Sequence, residues 1–302
     1  MKQLKNTAKK DCTQNVGLIG YSKGNGHFFS YSAISNSSFQ FNNKFVENNY
    51  PNIIKYLKRN KKKIFNKKKI FNINKVFSQN KKISKIASNF SNIEKVYKSN
   101  YRLIKDSDLI LICRHNIKKN YNDVIYSINK KKPILVDKLY AKSEKDFKKI
   151  HSMKKSILFN STPLVFEKKF FKLNKKRINV CKCYIKKNFI DYGNHVLEPI
   201  IYYFQIKKFK NIQIKRKKIT IFFDKIKLIV LTCNKKNLEY EFFENKKLIT
   251  SFKIQNYFII FQKLLQFFRL LVTTNKRNIF QEANLLSNLI ILKNLKKIKQ
   301  EK

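Results

Sequence analysis

The 302-residue chain has no tryptophan, five glycines, four prolines and only 18 acidic residues against 68 lysines and arginines. Scarce Gly, Pro and Trp beside abundant Lys, Asn, Ile and Phe point to A- and T-rich codons, so the net charge of +50 describes the genome more than the task. Such a charge attracts polyanions at low salt. Yet lysine is scattered through every segment, and arginine, the usual reader of base edges, is rare. Without a helix-turn-helix, zinc-ligand or RNA-recognition signature, no specific nucleic-acid partner is expected.

Cysteine is also sparse and odd in number. Cys12, Cys113, Cys181, Cys183 and Cys233 include no CxxC pair, which excludes a disulfide framework and suits a reducing, cytoplasmic setting. Cys181 and Cys183 stand two apart in a strand-like run and share a face as core residues do. No metal site is assigned. Met1–Asn15 lacks the apolar stretch of a signal peptide. Residues 257–272 are broken by Gln262, Lys263, Gln266 and Arg269 at helical spacing, which makes an amphipathic helix rather than a membrane span. What the chain does have is 43% hydrophobic and 14% aromatic residues, enough for one large domain or two ordinary ones.

Along the chain, a β-rich run from Val16 to Ile19 ends in Gly20, and a polar, glycine-containing turn leads to a helix-compatible stretch, His27 to Ile34. Lys55 to Lys69 reads as a solvated connection. Strand-like segments then alternate with helical ones: strands at Lys75–Ser78, Lys95–Tyr97, Leu109–Cys113 and Pro133–Val136, helices at Ile83–Phe90, Leu103–Ser107 and Lys118–Ile128. Apolar strands without alternation, separated by helices, predict a doubly wound parallel sheet over 16–140, preceded by a tail at 1–15. Beyond Ala141 a helix at Glu144–Met153 gives way to consecutive β-rich stretches at Ile178–Ile185, Ile219–Phe223, Ile226–Thr232 and Leu248–Ile254. Helices near Tyr257–Leu271 and Phe280–Leu295 close the chain. Residues 141–302 thus predict an α+β domain with a large open, mostly antiparallel sheet.

Three motifs carry chemistry. The turn from Gly20 to His27 follows the first strand, where glycines let backbone approach a pyrophosphate and the next helix offers amide N–H groups. GxGxxG does not fit, because Ser22 stands at the second glycine; a plain strand-to-helix turn reads equally well. Asp137-Lys138 lies at the carboxyl end of an apolar strand, where a lysine can donate to a substrate oxygen; alone, it also reads as a surface lysine. Asp191 and His195 fall one helical turn apart, so the carboxylate can orient an imidazole that takes a hydroxyl proton. The plainer alternative is a capping Asp and a core histidine.

Together these residues resemble the Gfo/Idh/MocA oxidoreductases, especially a bacterial subgroup with a GNGH tetrapeptide, here Gly24-Asn25-Gly26-His27. Residues 75–79 match as second strand, Asp108 to Arg114 as fourth, and Asp137-Lys138 stands where the family has Glu/Asp-Lys-Pro. Asp191-x-x-x-His195 has the family's catalytic spacing, and the flank to Pro199 is similar. The likeness runs from Val16 to about Leu295. It implies a dinucleotide-binding domain joined to an α/β domain that holds a sugar or cyclitol against a nicotinamide. By position, Lys138, Asp191 and His195 would be catalytic. Gly20, Ser22, Gly24, Asn25, Gly26, Gln79, Arg114 and Lys138 would face NAD or NADP. Leu139 replaces the family's proline, and Gln79-Asn80 replace the acidic residue that holds ribose, with Lys81 and Lys82 tolerating a 2′-phosphate.

The resulting expectation is an NAD(P)-dependent sugar, cyclitol or nucleotide-sugar oxidoreductase, cytoplasmic, with association into a homo-oligomer implied by the family. Two alternatives come from other classes. One is a catalytically degenerate relative serving as a binding or assembly module, supported by Leu139 and the irregular glycine turn. The other is a basic polyanion-binding protein, supported by charge alone.

Overall fold

The apolar runs of the first half pair in parallel, as strands buried on both faces do. The computed structural model describes residues 14–153, 155–186, 188–233, 238–274 and 276–300. The first half contains β1 (Asn15–Gly20), α1 (His27–Asn36), α2 (Lys44–Asn49), α3 (Pro51–Arg59), α4 (Lys61–Phe65), β2 (Asn72–Phe77), α5 (Lys81–Ser91) and β3 (Lys95–Val96). It continues with α6 (Asn100–Lys105), β4 (Leu109–Cys113), α7 (Ile117–Asn129), β5 (Ile134–Val136), α8 (Glu144–Ser152) and β6 (Leu158–Phe159). The strands form one parallel sheet in the order β3-β2-β1-β4-β5-β6. The connection reverses direction between β1 and β4, and the carboxyl ends of the strands there open the crevice in which doubly wound sheets bind ligands.

The second half holds β7 (Val180–Ile185), α9 (Phe189–Tyr203), β8 (Phe209–Lys215), β9 (Lys218–Phe223), β10 (Lys227–Thr232), β11 (Glu239–Glu244), β12 (Lys247–Lys253), α10 (Tyr257–Thr274), α11 (Gln281–Lys293) and α12 (Leu295–Gln300). Its sheet runs β12-β11-β7-β10-β9-β8. All pairs are antiparallel except β7 and β10, which run parallel because α9 and two further strands intervene. Cys181 and Cys183 alternate inward and are fully buried free thiols, as their spacing predicts. Among the described residues no helix is long and apolar enough to cross a membrane.

Packing crosses the order of the chain. β6 completes the first sheet, and α10 lays Phe261, Leu264 and Phe268 into the core beneath that sheet. The stretch from Lys55 to Lys69 is largely helical rather than an open connection. Leu57 and Ile64 are buried seven residues apart while the lysines between them stay exposed, and α3 becomes one wall of the crevice. Of the expected tail, Asn15 already pairs with Asn72; residues 1–13, with Cys12, lie outside the described residues.

Candidate active site

Val136 ends β5, and the chain turns at Asp137 and Lys138 into the crevice. Asn160 pins this turn, its amide donating to the carbonyls of Val136 at 2.5 Å and Lys138 at 3.1 Å. Asn120 donates to the Leu139 carbonyl at 3.0 Å. Leu139 is buried, and no cis peptide bond occurs among the described residues. Lys138 is therefore held at its backbone on both sides, and its side chain runs into a cleft of about 870 Å³.

α9 forms the opposite wall. Asn188 caps it, accepting from the Asp191 amide at 3.0 Å, and two turns past the cap His195 meets Lys138. The lysine Nζ lies 2.8 Å from His195 Nε2. An ammonium can only donate, so Nε2 accepts and Nδ1 carries the proton, donating to Thr162 Oγ1 at 2.6 Å. Burial, with the Lys138 charge added, holds the His195 imidazole well below the usual histidine range. The Tyr240 hydroxyl donates to the His195 carbonyl at 3.0 Å. Lys138 and His195, 57 residues apart in sequence, thus face one another across the cleft.

Asp191 and His195 do not form the expected pair. They occupy successive turns of α9, but Asp191 Oδ1 lies 3.0 Å from His115 Nδ1 and Oδ2 accepts from Asn188 at 2.8 Å. Burial would raise this carboxyl, yet the hydrogen bond and charge of His115 bring it down to about 2. Asp191 ties the end of β4 to the start of α9, and the oxygen oriented toward His195 belongs to Thr162. An interval of four residues sets a common face; here each side chain found a nearer partner than the other.

A different Asp-His pair stands in the cleft. His27, the first residue of α1, places Nδ1 2.7 Å from Asp137 Oδ1. The Tyr31 hydroxyl donates to the same oxygen at 3.0 Å and Asn25 donates to Oδ2 at 3.3 Å. Burial alone would raise the Asp137 carboxyl, but His27 and Lys138 beside it hold it well below the usual carboxylate range. Lys138 Nζ is 3.6 Å from Asp137 Oδ2. Sequence reasoning passed over His27 as the opening of a helix, although it is one of only four histidines and ends the GNGH tetrapeptide. Thr162 and His115 carried no signal of spacing.

The glycine turn sits at the switch point. Gly20 approaches the next strand so closely that a Cβ would stand 2.7 Å from the Cys113 carbonyl oxygen, and Gly24 and Gly26 line the cleft. Tyr21 adopts φ +105°, a conformation side chains rarely take. Ser22 Oγ accepts from the His115 amide at 2.9 Å, and Asn25 braces Asp137 rather than facing outward. At the end of β2, Gln79 donates to the Tyr21 carbonyl at 3.0 Å, and Lys81 and Lys82 are exposed. Arg114 lies apart from these residues. It is 1% exposed, with Nε donating to Asn120 at 3.0 Å and its guanidinium paired with Asp123. The close backbone approach at Gly20 and the crevice beyond it fit a dinucleotide, and no carboxylate at the end of β2 would repel a 2′-phosphate.

A doubly wound parallel sheet joined to an open, mostly antiparallel six-stranded sheet, with polar side chains from both halves meeting in one cleft, defines an α/β fold with its crevice at the switch point. No protein-family model and no curated protein matches this chain in sequence. Solved structures do match it. A dehydrogenase (MviM) of Clostridium difficile shares 12% identity, covers 94% of this chain and 99% of its own, and gives a TM-score of 0.67. The myo-inositol dehydrogenase of Lactobacillus casei, solved with NAD(H) and myo-inositol, shares 10% identity, covers 95% and 94%, and gives 0.64. UDP-N-acetylglucosamine 3-dehydrogenase GnnA of Acidithiobacillus ferrooxidans shares 7%, covers 92% and 96%, and gives 0.62. At these identities the likeness establishes the fold.

Proposed function

We propose that this protein is an oxidoreductase that moves hydride between NAD or NADP and a hydroxyl-bearing carbon of a sugar, cyclitol or nucleotide-linked sugar. The observation that carries the reading is the 2.8 Å meeting of Lys138 Nζ and His195 Nε2 in a cleft at the switch point of the parallel sheet. The likeness to dehydrogenases of myo-inositol and UDP-N-acetylglucosamine supports it. The nicotinamide would supply the hydride acceptor or donor. Gly20, Ser22, Gly24 and Gly26 would face the dinucleotide, and Gln79 the ribose end.

In this reading a substrate hydroxyl enters between Lys138 and His195 and replaces their direct contact. The ammonium donates to the oxygen and stabilises negative charge there. His195 Nε2, neutral because of its burial, takes the hydroxyl proton, while Thr162 holds Nδ1 and fixes the tautomer. Asp191 acts at one remove by fixing the start of α9. A cytoplasmic setting and a homo-oligomer belong to the same proposal.

The test is fluorescence titration with NADH and NADPH, followed by turnover on a panel that includes myo-inositol and UDP-N-acetylglucosamine. His195→Ala should lower turnover by roughly 10²–10⁴-fold with dinucleotide affinity nearly unchanged, and Lys138→Met should damage both substrate affinity and rate. Failure of the wild-type protein to bind either dinucleotide would remove the assignment. Wild-type turnover by His195→Ala would remove the acid/base role.

A further inference from the structure

The cleft holds two imidazoles in opposite circumstances. His195 has both ring nitrogens engaged, by Lys138 and Thr162, and touches no carboxylate. A proton taken up by His195 would place an imidazolium against an ammonium. His27 is arranged the other way. Asp137, held as a carboxylate, only accepts, so Nδ1 of His27 carries the hydrogen. Nε2 has no hydrogen-bond partner among the described residues, and the ring lines the cleft. Tyr31 stacks on that ring at 5.4 Å between centroids and Phe261 meets it edge-on at 4.7 Å. A proton on His27 would be balanced at once by the carboxylate 2.7 Å away.

The two rings are 6.4 Å apart between centroids, a span one oxygen of a substrate hydroxyl or a water can bridge. The His27 side chain is 21% exposed, whereas His195 is 7% exposed as a whole residue. One imidazole therefore meets the reacting centre and the other meets solvent.

We propose that His27 is the proton outlet of this cleft, the place where the proton of the reacting hydroxyl comes to rest, with Asp137 as the residue that positions and balances it. The proposal rests on the oxidoreductase reading. When CH–OH becomes C=O, the C–H electron pair leaves as hydride to NAD(P)⁺ and the O–H bond breaks toward His195 Nε2. A bridging water then accepts that proton from His195 Nε2 and gives one of its own to His27, a His27 Nε2–H bond forms as the water O–H breaks, and His27 releases its proton to solvent. Reduction runs the same path inward.

The groups that set the order of protonation come from every element around the rings. Asp137 and Lys138 face His27 from the end of β5, His115 from the end of β4, His195 from α9 and Tyr31 from its own helix. Burial and Lys138 act against a charged ring at both histidines, and Asp137 favours it at both, but only His27 is in contact with that carboxylate.

The test uses the full chain labelled with ¹⁵N-histidine, whose four histidines give a tractable ring spectrum. As pH falls, His27 should become imidazolium before His195, and Asp137→Asn should lower the His27 midpoint by a unit or more. The order in the wild-type protein decides by itself, so an Asp137→Asn chain that fails to fold leaves the test intact. On any substrate that is turned over, His27→Gln should lose tenfold or more in kcat, with rate restored in proportion to imidazole added to the buffer. A purely structural role would not give that rescue. His195 protonating first, His27→Gln turning over within twofold of wild type, or loss without rescue would each overturn the proposal. Absence of NADH and NADPH binding by the wild-type chain would instead strike the underlying reading, and the proton outlet with it.

Discussion

Glu198 lies three residues past His195, on the inner side of α9, and no part of it is open to solvent. Ser161 and Asn284 donate to its carboxyl, as does the Thr162 amide at 3.0 Å, so it braces the residue that holds the His195 ring. Burial pushes it from 4.5 to about 8, its hydrogen bonds pulling only partly the other way. Between those two values the folded chain keeps a proton that the unfolded chain has released, so stability falls as pH rises through the window and levels off above it. The loss amounts to roughly 5 kcal/mol if the shift is fully expressed. Glu198→Gln should flatten that slope in urea unfolding between pH 5 and 8, and an unchanged slope would remove Glu198 as its source. Asp191→Ala, by contrast, frees His115 rather than His195. We expect it to cost well under a tenth of the turnover lost by His195→Ala, as the ratio of kcat/KM values reports. The meeting of Lys138 and His195 was legible from the family resemblance and because few histidines compete, not from either residue alone. Their other partners were not, because a carboxylate has several donors within reach and sequence spacing does not rank them.

At the scale of elements, α9 and α11 show how closely the site is packed from behind. A Cβ on Gly193 would stand 2.8 Å from Ile291 Cδ1 and 3.2 Å from Cγ1, so the glycine admits the isoleucine at the price of helix propensity. Gly193→Ala gains about 1 kcal/mol of propensity and loses about 1–3 kcal/mol by overpacking. In an Ile291→Val background, which lacks the nearest methyl, the same alanine should be neutral or stabilising. A double-mutant cycle in urea measures the coupling, and additive effects would contradict the contact. Five of the six strands of the first sheet were legible, most clearly β1, β4 and β5, whose short apolar segments are buried on both faces, whereas the two-residue β6 beyond the expected boundary at 140 was not. In the second half, β8 and β11 went unrecognised: β8 buries a single residue, Ile212, of its seven, and β11 sets its buried Tyr240 and Phe242 among glutamates. The lysines of α3 and α4 masked a buried stripe in the same way. A return of β10 to lie parallel beside β7 is decided by three-dimensional closure, which period-two patterns do not record.

Across the whole molecule, a charge of +50 on 302 residues opposes the compact state, since few carboxylates are present to offset it. Screening length shrinks from about 30 Å at 0.01 M salt to about 8 Å at 0.15 M, so most of this repulsion should vanish across that range. The melting temperature should therefore rise with NaCl, by roughly 5 °C or more if a few kcal/mol are recovered. A flat profile would mean that the lysines are spaced widely enough not to feel one another. The same series separates the charge from the cleft. Adventitious binding of DNA releases many counterions and should fall by orders of magnitude between 0.05 and 0.2 M salt. A dinucleotide engages few charges and a shaped crevice, so its affinity should change by only a small factor. If DNA binding instead persisted at high salt while NADPH was lost, the charge would be the working surface and the cleft incidental.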